Sequence, residues 1–177
     1  IQSRTFSANG KTANSGGTVP LTASGTVQIS AQATDSRGRT GTRDEDITVL
    51  AYSNPTFAKV LVRRSDASGV VMDNGTSLRV DLTAAVSSLM NGTQRNTMQI
   101  KVFTRALGTT TWTARNTINH TGISYDSNFV VSGGANYPID ASFDVRVDVV
   151  DKFNTSQAQT VVATAAVFMH WSKAGVG

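Results

Sequence analysis

Two histidines, five of the eleven aspartates and four of the twelve aromatic rings are the residues of this 177-residue chain that are candidates for chemistry or ligand contact. His120 and His170 stand fifty positions apart, without the i, i+4 spacing that sets two imidazoles on one helical face for a metal. His120 reads as a solvated loop residue, and His170, beside Trp171, as a packing residue at a domain end. Asp126, Asp140, Asp144, Asp148 and Asp151 could in principle pair for glycoside cleavage. Most of them fall at outward positions of alternating segments, where solubility accounts for them. No G-x-S-x-G elbow, phosphate-binding loop or calcium loop occurs, and there is no cysteine to serve as nucleophile, zinc ligand or disulfide partner. The expectation is a protein without catalytic residues, metal or cofactor. The rings Trp112, Tyr125, Phe129 and Tyr137 remain, and a ring face can stack on the C–H groups of a pyranose. Trp112, Tyr125 and Tyr137 are therefore the candidate carbohydrate contacts, with Trp112, set among threonines, the first to test.

Such rings need elements to hold them, and the chain announces these by period. In "VQISAQATDSRGRTG" (27–41), Val27, Ile29, Ala31 and Ala33 alternate with Gln28, Ser30, Gln32 and Thr34. In "FDVRVDVVDKFNTS", starting at Phe143, apolar Val145, Val147 and Val149 alternate with Asp144, Arg146 and Asp148. Period two is the mark of a strand with one buried and one wet face. Each run ends at an aspartate, Asp35 or Asp151, suited to an Asx turn, with Gly38 or Asn154 available for a left-handed backbone. A β-branched strand follows each turn, at 45–51 and 157–168. Even the approach is echoed, "GGTVPLTASG" (16–25) before the first hairpin and "GGANYPIDAS" (133–142) before the second. Two copies of one architecture explain pattern shared without identity, since burial constrains period more tightly than letter.

Further candidate strands cover 56–64, 77–89, 97–106, 109–118 and 123–132, separated by Asn-Gly and Gly-Gly turn pairs. No stretch sustains helical periodicity, although "LTAAVSSLM" could be read that way. The predicted fold is all-β: tandem antiparallel β-sandwiches of immunoglobulin or fibronectin type III kind, the first incomplete at its N-terminus. Its parts are the end of one domain at 1–52, a linker at 53–55, a complete domain at 56–169 and the start of a further segment at 170–177. The opening "IQSRTFSANGK" reads as the interior of a longer polypeptide. If the register is right, Val147→Asp should leave the second domain insoluble and Arg146→Asp should not.

Charged residues make up 16%, against roughly 25% in ordinary soluble domains, and hydroxyls and amides fill their place. Such surfaces suit extracellular and virion β-proteins. The net charge is +4, but its densest group, Arg37, Arg39 and Arg43, is followed at once by Asp44, Glu45 and Asp46. That is the composition of a solvated hairpin, and nucleic acid is not an expected partner. No apolar run reaches the ~18 residues of a membrane span, so insertion is not expected.

The C-terminal "AVFMHWSKAGVG" (166–177) resembles a segment recurring in minor structural and tail-fibre proteins of tailed bacteriophages, where an acidic residue stands in place of Ala174 and Ile-Gly-Lys follows Gly177. The phrase "ATDSRGRTGTRDEDITVLAYSNPTF" is similar to the immunoglobulin-like repeats of the same siphovirus-type proteins. The resemblance implies a non-enzymatic virion component of tail fibre or tail tip, extracellular when functional. It would act as spacer and in recognition of host cell-surface polysaccharide, with other virion tail proteins as partners. A homo-oligomer is expected, trimers being usual for fibres. Tandem sandwiches on a short Pro-containing linker would make a semi-rigid rod. The alternative is a bacterial surface adhesin or a cell-wall-binding module appended to a hydrolase.

Overall fold

A computed structural model describes residues 1–132 and 136–165. The strands, in chain order, are β1 (Ser3–Ala8), β2 (Lys11–Asn14), β3 (Gly25–Thr34), β4 (Thr40–Val49), β5 (Thr56–Ser65), β6 (Ser77–Ala85), β7 (Met90–Asn91), β8 (Thr93–Gln94), β9 (Met98–Ala106), β10 (Thr113–His120), β11 (Ser124–Val130), β12 (Phe143–Val150) and β13 (Thr155–Val162). All pairings between the longer strands are antiparallel, and no helix occurs among the described residues. The segment containing "LTAAVSSLM" is strand up to Ala85. The chain divides into two compact units, residues 1–52 with 89–93, and residues 53–88 with 94–177.

The first unit holds a four-stranded sheet of order β2-β1-β3-β4, and its residues 89–93 include the short β7 strand. The β3–β4 hairpin has its second strand, expected at 45–51, at Thr40–Val49, with Val27 opposite Ile47 and Ala31 opposite Arg43. Its turn is built by Asp35, whose carboxylate accepts the backbone N–H groups of Arg37 (2.8 Å) and Arg39 (3.0 Å) while Gly38 takes a φ of 79°. Arg39 closes the turn with an ion pair to Asp35 at 2.7 Å. Its N–H and guanidinium hold the Asp35 carboxyl below the usual carboxylate range.

The second unit has two sheets. One, of order β11-β6-β5, has three strands; the other, β10-β9-β12-β13, has four. Between them lies the core. Leu78, Val80, Leu82 and Ala84 of β6 face it from one sheet. Met98, Ile100 and Val102 of β9 and Val145, Val147 and Val149 of β12 face it from the other. These side chains alternate with outward residues on each strand, which is why period two predicted them. The Ser53–Asn54–Pro55 stretch, expected as a linker, is bonded into this unit. The N–H of Ser53 donates to the Ser87 hydroxyl (2.7 Å), and the Ser156 hydroxyl donates to the Pro55 carbonyl (2.6 Å). Asp151 holds the β12–β13 turn, accepting the N–H groups of Phe153 and Asn154 at 2.8 Å each. Asn154 does not take a left-handed backbone; Asn9 is the non-glycine residue that does among the described residues.

On the outer face of the three-stranded sheet, Arg63 and Arg79 stand directly opposite each other on β5 and β6. Like charges so placed repel. Asp81, only 7% exposed, accepts from both, at 2.8 Å from Arg63 and from Arg79. Burial pushes the Asp81 carboxyl up, but the bonds from Arg63 and Arg79 outweigh it and hold it below the usual range. A carboxyl whose folded pKa lies below its unfolded value of about 3.9 stabilises the fold fully above that value and loses the contribution as pH falls through the folded pKa. The second unit is therefore expected to lose stability on acidification below about pH 4. Asp81→Asn should be less stable than wild type at pH 7 and show a shallower loss in acid. Denaturant midpoints from pH 7 to pH 2 check this, and an unchanged acid slope would remove Asp81 from the account.

Candidate functional site

The four named rings do not converge. Tyr137 is 1% exposed; its edge meets Phe143, with ring centroids 5.0 Å apart, and its hydroxyl points at the Thr104 hydroxyl at 3.5 Å. Burial pushes its phenol up from its ordinary value. A sugar cannot reach that ring, so Tyr137 is a core residue rather than a contact. Tyr125 and Phe129 of β11 stand opposite Ala84 and Val80 of β6, both core-facing, and pack partly buried against the core. Tyr125 also meets the ring of His120 edge-on at 5.3 Å, and that imidazole's Nε2 bonds the Ser124 carbonyl at 2.8 Å. His170 lies outside the described residues.

Trp112 is different. It sits just ahead of β10, not within a strand, and is half-buried at the outer face of the four-stranded sheet. The guanidinium carbon of Arg105 lies 4.3 Å from its ring centroid and that of Arg146 5.1 Å; Arg146 also lies 4.3 Å from the centroid of Phe103. Cations are drawn to ring faces by the quadrupole, so the two arginines and two rings form one stack. Register explains the grouping, for β12 sets Asp144 opposite Arg105, Arg146 opposite Phe103 and Asp148 opposite Lys101.

Beneath the stack run two ion pairs. Arg105 Nε donates to Asp144 at 2.7 Å, and Arg146 Nε donates to Asp148 at 2.9 Å. Asp144 and Asp148 are 4% and 5% exposed. They face away from the core as the alternation required, but they are not solvated surface acids, because arginine and tryptophan side chains cover them. Asp126 on the other sheet is exposed and accepts the Thr83 hydroxyl at 2.8 Å. Among the described residues no three His, Asp or Glu side chains gather to hold a metal.

Around this ladder the face is amide and hydroxyl. Gln157 and Gln159 of β13 and Thr117 and Asn119 of β10 are exposed, and the Gln99 amide donates to Asn119 at 2.6 Å. The face ends in an open hollow of about 490 Å³, bounded among others by Gln99, Asn119, His120, Val150 and Lys152. This is what the ring-by-ring reading missed. The Arg/Asp/Trp stack is assembled across two strands, β9 and β12, and a loop, so no linear spacing reports it. The arrangement is a half-buried ring stacked with two arginines and flanked by neutral hydrogen-bonding groups.

Antiparallel sheets throughout the described residues make this an all-β protein. Residues 5–177 match the family described as siphovirus protein of unknown function (DUF859), and the chain belongs to that family. It is thus a phage protein with an all-β fold. No curated protein shows a significant sequence match to it. The C-terminal segment that resembles the phage tail motif lies outside the described residues.

Proposed function

We propose that this chain is a non-enzymatic component of the siphovirus particle, in the tail fibre or tail tip. There it spaces neighbouring parts and touches host cell-surface polysaccharide through the Trp112 face of its second unit. The family match supports the phage half of the reading over a bacterial adhesin or a hydrolase module. Strand order supports the kind of domain. In the second unit the first, second and fifth strands of seven make one sheet, and the fourth, third, sixth and seventh the other. That order fits a fibronectin type III sandwich of the immunoglobulin-like class.

The observation that carries the contact role is the Trp112–Arg105–Arg146–Phe103 stack on a face otherwise lined by Gln and Thr. A single sugar contact of this kind is weak, and copies arrayed on a particle raise avidity by orders of magnitude without new contacts. The test is binding of the chain, multimerised on beads, to cell-wall polysaccharide of a host strain. Trp112→Ala is expected to lower retention about tenfold, the equivalent of ~1.4 kcal/mol per contact. Tyr125→Phe, altered on the core side of the other sheet, is expected to change nothing. No retention of the wild-type beads would leave the spacer role alone.

A further inference from the structure

The sequence holds three Asn-Gly pairs, Asn9–Gly10, Asn74–Gly75 and Asn91–Gly92. Asparagine is a thermolabile residue, and its weak point is the side-chain amide carbon, Cγ. The backbone nitrogen of the next residue can attack that carbon. Ring closure needs the peptide plane after the asparagine to swing toward the side chain, and a following glycine, with no Cβ, hinders the swing least. By sequence the three pairs are equal. The fold makes them unequal.

Asn74–Gly75 is locked. The nitrogen that would attack, that of Gly75, donates to the Met72 carbonyl at 3.1 Å. The Gly75 carbonyl accepts from Arg64 Nη1, also at 3.1 Å. Gly75 is buried, and a Cβ on it would collide with the Ser65 backbone. Turning the peptide plane there breaks the first bond, while the second bond and the packing keep Gly75 from following. The Asn74 side chain is exposed, but its attacker is held.

Asn9–Gly10 is the opposite case. The pair is the whole loop between β1 and β2, at φ 50° and 71°. Both residues are exposed, and a Cβ on Gly10 would meet nothing within 4 Å. Among the described residues no hydrogen bond holds the Gly10 N–H. Loop tips of this kind open at little cost in free energy. Asn91–Gly92, between β7 and β8, is exposed as well, with Gly92 at a φ of 71° and open space where a Cβ would stand.

We propose that Asn9 and Asn91 are sites of spontaneous covalent modification and that the fold silences Asn74. The glycine nitrogen bonds to Cγ, and the side-chain nitrogen leaves as ammonia with the proton the glycine N–H gives up. Water then opens the resulting succinimide at one of its two carbonyls, giving aspartate or isoaspartate. Nothing is oxidised or reduced. Either product adds a negative charge. Isoaspartate also routes the main chain through the β-carbon, which lengthens a turn whose two-residue span sets the β1–β2 register. This chemistry is independent of the saccharide contact.

The test is peptide mapping that resolves asparagine, aspartate and isoaspartate in the 177-residue chain, kept in mildly alkaline buffer both folded and in denaturant. In the folded chain Asn9 and Asn91 are each expected to be lost at least about tenfold faster than Asn74, the equivalent of ~1.4 kcal/mol in barrier. In denaturant the three should be lost at comparable rates, with Asn74 gaining the most. Either Asn9 or Asn91 as slow as Asn74 in the folded chain would overturn the proposal. The same order of rates persisting undiminished in denaturant would overturn it too, because neighbouring residues and not the fold would then set the order.

Discussion

Replacing Arg64 by alanine is expected to lower the unfolding midpoint of the second unit sharply, by several kcal/mol of stability. The side chain is 6% exposed at the end of β5, and all five of its donors are used. Nε donates to the Ala163 carbonyl (3.1 Å), Nη1 to those of Gly75 (3.1 Å) and Tyr137 (2.9 Å), and Nη2 to those of Pro138 (3.1 Å) and Ala141 (2.7 Å). One planar fork thus ties together three separated stretches of backbone. These are the loop after β5, the connection from β11 to β12, and the end of β13. Gly75 shows how tightly that loop is drawn in, since a Cβ there would collide with the Ser65 backbone. Burial pulls the guanidinium's pKa down and the Asp140 carboxylate opposes it.

Each buried carbonyl left without a donor costs about 1–3 kcal/mol. Two of the five bonds, to Gly75 and Tyr137, are buried, so roughly 2–6 kcal/mol is at stake there, against a whole-domain stability of roughly 5–15 kcal/mol. Arg64→Lys offers three donors from one point instead of five in a plane, so it is expected to recover only part of the loss. Thermal unfolding of wild type, Arg64→Lys and Arg64→Ala should give three descending midpoints. Equal midpoints for the lysine variant and wild type would show that charge, not the fork, is what matters.

Arg64 was written in the sequence in a form that alternation exposes. Val60, Val62 and Arg64 share a phase, so an arginine stood at a core-facing position of "KVLVRR", and a charge in phase with the apolar side demands partners. The same reasoning places Tyr125 and Phe129, which share odd positions with Ile123 and Val131, on the core side of β11. Their burial follows from the very pattern that located the strand. Local turn chemistry was legible at Asp35 and recurs where the pattern search did not look. "DASGV" repeats the geometry of "DSRGR", with Asp66 accepting the N–H groups of Ser68 and Val70 and Gly69 at a φ of 90°. Asn9 and Gly10, at φ 50° and 71°, turn β1 into β2 as a two-residue hairpin loop prefers. The Trp112 stack had no such signature. Its members are joined by register between strands forty residues apart, and register is set by whole faces closing on one another, not by any short run.

That dependence on closed faces makes β12 the sharpest place to test the fold. Val147 is fully buried, with Val102 of β9 on one side and Ala158 of β13 on the other. Val147→Asp puts an acid where no donor waits, at a cost on the order of several kcal/mol even if the carboxyl protonates. For a unit of this size that is a fall of roughly 10 °C or more in unfolding midpoint, with aggregation of the unfolded chains. The natural comparison, one residue back, is not the neutral control that alternation alone suggests. Arg146 faces outward, yet it grips Asp148 through Nε (2.9 Å) and Nη2 (3.3 Å) and covers Phe103. Arg146→Asp would set a third carboxylate between Asp144 and Asp148 and strip a nearly buried acid of its cation, which costs about 3–5 kcal/mol where a buried pair is broken. It is expected to be destabilised too, through the broken ion pair, whereas Val147→Asp is impaired by its lost packing. The neutral control is Gln159→Asp, exposed on β13 directly opposite Arg146, expected within about 0.5 kcal/mol of wild type. Unfolding midpoints of the three variants at pH 7 check this order. A Val147→Asp protein as stable as Gln159→Asp would mean that the inner faces of the two sheets do not close over β12.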